Sequence, residues 1–269
     1  MQVRQERTNW RDNKLNDLHN KYGYEFPTDN VEFLMLEYDK SMPVALVDYK
    51  RKSNGTEISK SIINFCDNFL PQLPYFITSY EIIDNALTNI DIIPCNQQAI
   101  IEICYKQNIS EKELVKIQYK LREKIVAGRT KQGIEIANKL PDKLIKTVET
   151  WPGEIISHRH RDWGWDCPAV DIDFFVSNNF AITGIIEYKN IRTFTTPSKF
   201  KLHPTGKALA NLATKGKNDV PLLFVYYNNE LNSFKIYPLT LNCKQHKEYF
   251  GINLDKKEYF EFLNKLGKQ

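Results

Sequence analysis

The chain has 269 residues, 42% of them hydrophobic, and a formal net charge of +4. That is long for one core and ordinary for two, and no apolar run reaches the roughly 18 residues that cross a bilayer, so a membrane-spanning role is not expected. Residues 1–7 lack the apolar centre of a secretory signal; the five cysteines (Cys66, Cys95, Cys104, Cys167, Cys243) are scattered and never in CxxC spacing, which points to a reducing, cytoplasmic setting without a disulfide framework or structural zinc.

In chain order, the first half reads as α-β-β-α-β-β-α, ending in a helix capped by Ser110. A short basic linker with Arg129 and Lys131 follows at 126–134. The second half begins with helical apolar spacing from Asp142 to Trp151, then a polar, aromatic segment from His158 to Cys167. Val170–Val176 and Ala181–Tyr188 read as strands around a Ser177-Asn178-Asn179 turn. Their apolar content predicts cover on both faces. Thr205–Thr214 reads as a helix with Ala208, Leu209 and Leu212 on one face. Leu222–Tyr227 and Ser233–Tyr237 are predicted strands, and Asp255 caps a last helix presenting Tyr259, Phe260 and Leu263. The fold class expected is α/β (α+β), each half a mixed central sheet flanked by helices.

The two halves repeat one another. An offset of 141 pairs Trp10 with Trp151, His19 with His160, residues 23–27 with 164–168, and Glu32-Phe33 with Asp173-Phe174. It falls to 139 for Asp48-Tyr49-Lys50 against Glu187-Tyr188-Lys189, and rises to 147 for Lys60 against Lys207 and residues 73–76 against 220–223. Pro94 matches Pro238 at 144, and residues 110–113 match 255–258 at 145. Each change falls where a loop is predicted, where insertions are tolerated. This is the signature of a tandem duplication, with copies at 1–125 and 135–269.

The repeated element that carries chemistry is a carboxylate on one strand, a turn, and carboxylate-x-Lys at the end of the next. Side chains alternate along a strand, so Glu187 and Lys189 project on one side and Tyr188 on the other. A hairpin pairing brings Asp173 near Glu187. Two carboxylates with backbone oxygens and water suit a hard cation such as Mg²⁺ or Mn²⁺, which activates a bound water and neutralises a phosphate. Lys189 then orients or helps deprotonate that water, or holds the phosphate as a point charge.

With Pro168-Ala169-Val170-Asp171-Ile172-Asp173 followed by Glu187-Tyr188-Lys189, each half resembles the PD-(D/E)XK, restriction-endonuclease-like nuclease superfamily. The resemblance implies Mg²⁺-dependent hydrolysis of phosphodiester bonds in DNA, with Asp173 and Glu187 as metal ligands and Lys189 as catalytic lysine. Lys207 and Lys60 look similar to the basic helix residue that some members aim at the site. The first copy departs from the pattern: Glu32 stands for Asp173 and Asp48 for Glu187, while Lys50 is kept. Its turn is two residues longer, 16 positions from Glu32 to Asp48 against 14 from Asp173 to Glu187. It reads either as a second metal and catalytic site or as a degenerate binding copy. Asp171 is a further candidate ligand, with Asn30 as its uncharged counterpart.

Other features admit two readings. In the segment 157–165, His160 and Arg161 would contact phosphates and the tryptophans would stack on bases, or the segment is a packing corner with Trp163 and Trp165 in the core. His158 and His160 do not make a zinc pair that the first copy reproduces, because their counterparts are Asp17 and His19. Trp10 and Trp151 read as core anchors, and Lys244, His246 and Lys247 as solvated surface. The function expected is a tandem, metal-dependent DNA endonuclease acting as a pseudo-dimer within one chain, with further self-association left open. The alternative is an inactive nuclease-fold module that binds DNA or a protein partner. No G-x-x-x-x-G-K-[ST], G-x-S-x-G or G-x-G-x-x-G occurs, which disfavours P-loop, serine-hydrolase and dinucleotide chemistry.

Overall fold

The computed structural model describes Leu15, Asp17, Leu18, Lys21 and residues 33–84, 86–141, 154–193, 195–217, 219–241 and 246–268. The expected helix at Asp142–Trp151, together with Trp10, His19, Asn30, Glu32 and Lys244, lies outside the described residues.

Two mixed sheets organise the chain. The first contains β1 (Leu34–Asp39), β2 (Met42–Arg51), β3 (Tyr75–Ile83), β4 (Ala86–Pro94), β5 (Lys106–Ile109) and β6 (Ala169–Asp171), in the order β5-β4-β3-β2-β1-β6. The second contains β7 (Phe174–Asn178), β8 (Ala181–Asn190), β9 (Leu222–Tyr227), β10 (Phe234–Pro238) and β11 (Asn253–Leu254), in the order β11-β10-β9-β8-β7. Around them lie helices α1 (Lys60–Asp67), α2 (Gln97–Glu102), α3 (Glu111–Arg122), α4 (Arg129–Lys139), α5 (Glu154–Asp162), α6 (Pro197–Leu202), α7 (Pro204–Thr214) and α8 (Lys256–Gly267). This is the α/β class expected.

The order hairpin, helix, parallel strand, antiparallel return and closing helix recurs in both halves. Hairpins β1–β2 and β7–β8 turn through Lys40-Ser41 and Asn179-Phe180, all four with φ between 45° and 64°. Left-handed turn pairs match the twist of the flanking strands. From each hairpin the chain crosses through helix to a parallel strand, β2 to β3 and β8 to β9, then returns antiparallel on β4 or β10. Each half then reaches a helix with a capping box, Ser110 with Glu113 before α3 and Asp255 with Glu258 before α8.

The boundary expected at 126–134 does not divide two cores. Residue 129 starts α4, which lies so close to α3 that a Cβ on Gly133 would stand 2.4 Å from Tyr119 Cβ. Ala137, Leu140, Ile156, Trp163 and Cys167 then pack with Val47 and Tyr49 in the outer core of the first sheet. Conversely, Leu15 and Leu18 pack in the outer core of the second sheet with Phe174, Tyr188 and Tyr259. The strand expected at 170–176 is split at Ile172-Asp173. Before that point β6 pairs with β1, Met35 facing Asp171; after it β7 pairs with β8.

A third core fills the space between the sheets, joining Leu34, Leu46, Ile62 and Phe65 to Phe175, Ile185, Leu209 and Phe224. Its contacts are reciprocal. Asn64 on α1 donates to Phe180 O at 3.1 Å, and its repeat partner Asn211 on α7 donates to Ser41 O at 2.7 Å. Leu70 N–H donates to Lys215 O while Lys217 N–H donates to Asn68 O, on either side of a bridge between Phe69 and Gly216. Each pair combines the same two repeat positions with the halves exchanged, so the halves embrace about a pseudo-twofold axis.

Candidate functional site

Both copies place their carboxylate-x-Lys pair at the carboxyl end of an interior strand, β2 or β8, beside a parallel neighbour. Ile185 and Leu46 belong to the inter-sheet core, whereas Tyr188 and Tyr49 belong to the outer cores. Strand alternation therefore turns Glu187, Lys189, Asp48 and Lys50 toward the layer between the sheets.

In the second copy, Asp173 occupies the corner where the chain passes from one sheet to the other. One step beyond the Phe174–Ile186 pair, it stands beside the end of β8, and its Oδ2 accepts the Tyr188 N–H at 2.7 Å. Lys189 Nζ donates to Glu187 Oε1. Asp173 is 8% and Glu187 4% exposed, while the Lys189 side chain is 30% exposed. The register thus sets Asp173 across from the Glu187–Lys189 end of β8, with both carboxylates sheltered and the lysine partly exposed. Asp171, two residues earlier, is half-buried on β6 opposite Met35 in the first sheet.

The first copy has the same strand position in a closed setting. Asp48 Oδ1 accepts the Phe33 N–H at 3.4 Å, and Lys50 Nζ lies 3.3 Å from Asp48 Oδ2 and donates to Glu57 O at 2.8 Å. The side chains are 0% and 1% exposed. The residue opposite Asp48 in the hairpin register is Leu34, a member of the inter-sheet core. Glu32, the expected partner, lies outside the described residues. Burial pushes the neighbouring Cys95 thiol up to about 12, with Asp48 adding to the effect, and raises Cys66 well above its ordinary value. Neither is a thiolate at neutral pH.

The residues expected at the nucleic acid divide. Arg161 is exposed on α5 and Lys207 is exposed on α7. Lys60 is exposed, with Nζ 5.7 Å from the centre of the Phe180 ring at the β7–β8 turn. His160 is a correction: it is buried, with Nε2 at 2.9 and 3.0 Å from the two oxygens of Glu37, and offers nothing to a phosphate. Of the two tryptophans, Trp163 is core and donates to Glu111 at 2.8 Å, while Trp165 is fully exposed.

Sequence reading missed this Glu37 cluster. Glu37 takes hydrogen bonds from Arg122 at 2.5 Å and from the Tyr49 hydroxyl at 3.0 Å, all inside the first half's outer core. Burial alone would raise the carboxyl; the charges of His160 and Arg122 and their hydrogen bonds overcome it and hold it at about 2, against an ordinary 4.5. The ligand atoms of Glu37, His160 and Cys167 lie within 4.8 Å of one another. Burial pushes the Cys167 thiol up to about 12, and the Arg122 guanidinium pairs with Glu37 there. In sequence Glu37 is one of two acids in β1, with Asn178 at its repeat position, and no signal marked it.

The donor set at the second copy does suit a hard cation. It offers two sheltered carboxylates, Asp173 and Glu187, beside a partly exposed lysine, and carboxylate oxygens are the ligands such a cation takes. Comparison of the chain with protein-family models, with curated proteins and with solved structures finds no match.

Proposed function

We propose that the chain is a metal-dependent phosphodiesterase acting on DNA, of the PD-(D/E)XK kind that its sequence resembles, with its working site in the second half. The observation that carries this reading is the meeting of Asp173, Glu187 and Lys189 at the carboxyl end of β8, with the two acids sheltered and the lysine partly exposed. Asp173 and Glu187 would hold Mg²⁺ or Mn²⁺, which when bound lowers the pKa of a coordinated water and offsets charge on the phosphate. Tyr188 N–H holds Asp173 in place from the backbone of the strand that carries Glu187. Lys189 donates to Glu187; with a cation held by that carboxylate, its ammonium would be available to the scissile phosphate or the attacking water. Hydrolysis adds that water across one P–O bond, leaving a phosphate monoester and a hydroxyl.

For the first half, the sealed Asp48–Lys50 pair and the apolar Leu34 opposite Asp48 favour the non-cleaving reading. There the lysine is buried against Asp48 and donates to the Glu57 carbonyl. A cleavage assay on supercoiled DNA with Mg²⁺ tests both statements. Glu187→Ala abolishes cutting, Asp48→Asn does not, and the wild type accumulates nicked circles before linear product.

A further inference from the structure

The repeat offset jumps by eight residues directly after the motif. Lys189 and Lys207 are separated by 18 positions, Lys50 and Lys60 by 10. The added chain falls within residues 191–203, including α6. It is fastened beside the site by two anchors. Phe200 packs on Phe224, ring centres 5.4 Å apart, and Phe224 is the residue across from Glu187 in the parallel register. The Tyr226 hydroxyl, across from Lys189, donates to Thr195 O at 2.6 Å. Gly206 admits the segment, since a Cβ there would lie 2.0 Å from Phe200 O.

The charge of this stretch is one-sided. Residues 188–218 contain seven Lys and Arg and no Asp or Glu, whereas their counterparts 49–71 contain four Lys and Arg with Glu57 and Asp67 among them. In the first half Lys50 is buried against Asp48 and Lys52 is paired with Asp91 at 2.7 Å. In the second, Arg192, Lys199 and Lys201 are all exposed on the inserted segment.

We propose that Arg192, Lys199 and Lys201 form a basic lip, peculiar to the second half, that grips the phosphodiester backbone of DNA where it enters the Asp173–Glu187–Lys189 site. This rests on the phosphodiesterase reading of that site and adds the surface that feeds it. Fixed cations at a cleft edge bind polyanions by releasing counterions, so the lip sets the salt dependence of binding without reading sequence.

The test is binding of a fluorescein-labelled duplex and of its single strand, titrated against salt in EDTA so that no cleavage occurs. The joint variant Arg192→Ala, Lys199→Ala, Lys201→Ala is compared with wild type and with Lys116→Ala, Lys120→Ala, Lys257→Ala, which removes three exposed lysines from the outer helices. The lip predicts that the slope of log affinity against log salt becomes shallower by about 2 to 3 in the lip variant only, as three phosphate contacts are lost. Equal slopes for both variants, or no binding by a folded wild type, overturns it. Loss of the slope in the lip variant, with no cleavage by wild type in Mg²⁺, keeps the lip and refutes the phosphodiesterase; normal cleavage with equal slopes does the reverse.

Discussion

Asp48–Lys50 and Glu187–Lys189 occupy the same place in two copies of one fold, at the carboxyl end of a strand with a parallel neighbour, yet their surroundings differ. In the first copy the register puts Leu34 opposite the carboxylate, and acid and lysine are sealed against each other. In the second, the chain breaks at Asp173 to pass between sheets, which leaves a second carboxylate at the corner and the lysine partly open. Strand position alone therefore does not make a site. What matters is whether the neighbouring strand supplies an acid or a hydrophobe, and whether the lysine can leave its partner.

The comparison is broken most directly through cleavage. Lys189→Ala lowers kcat by roughly 100-fold or more, in the range seen when a transition-state donor is removed, whereas Lys50→Met leaves kcat within about twofold of wild type by the same criterion. Equal losses from both would show two working sites.

Stability gives the converse pattern. Asp48→Ala strands the buried Lys50 without its counter-charge, and Glu37→Ala does the same to Arg122, each costing about 3–5 kcal/mol in denaturant unfolding. Glu187→Ala, whose lysine partner reaches solvent, costs clearly less. The Glu37 carboxyl also carries a pH signature. Its folded-state value is depressed, so the stability it contributes is present above about 4.5 and is lost as pH falls toward about 2. The lost amount is about 3 kcal/mol in acid unfolding, and Glu37→Gln flattens that part of the curve.

Smaller effects sharpen the picture. Gly206→Ala forces α6 away from α7 and costs about 1–3 kcal/mol by overpacking, with an accompanying loss of DNA affinity if the lip acts as proposed. Lys60→Ala removes the contact with Phe180 and costs no more than about 1 kcal/mol in thermal unfolding.

Much of this architecture was legible in the sequence. Apolar runs, turn residues and caps at Ser110 and Asp255 placed the strands and the closing helices, and the repeat located the motif on strand ends. The embrace of the halves was not legible. Two similar sheets accept the same apolar helix face, so nothing local in Leu15, Leu18 or Ile156 tells which copy it covers. The break at Ile172-Asp173 was hidden for a related reason: Val170 and Phe175 are both apolar and strand-forming, and only tertiary pairing assigns them to different sheets. The burial of His160 was equally silent, because its partner Glu37 lies 123 positions away on a strand of the other half. The change of offset after Lys189 was visible from the start, and its meaning emerged once Phe200 and Thr195 were seen anchored beside the site.

The most direct measurement is Mg²⁺-dependent cleavage of supercoiled DNA by wild type, Glu187→Ala and Asp48→Asn, each verified as folded by its melting transition. Nicking by wild type and Asp48→Asn, with none by Glu187→Ala, is the predicted result. Cutting that persists in Glu187→Ala and vanishes in Asp48→Asn, or no cutting by a folded wild type, would contradict it.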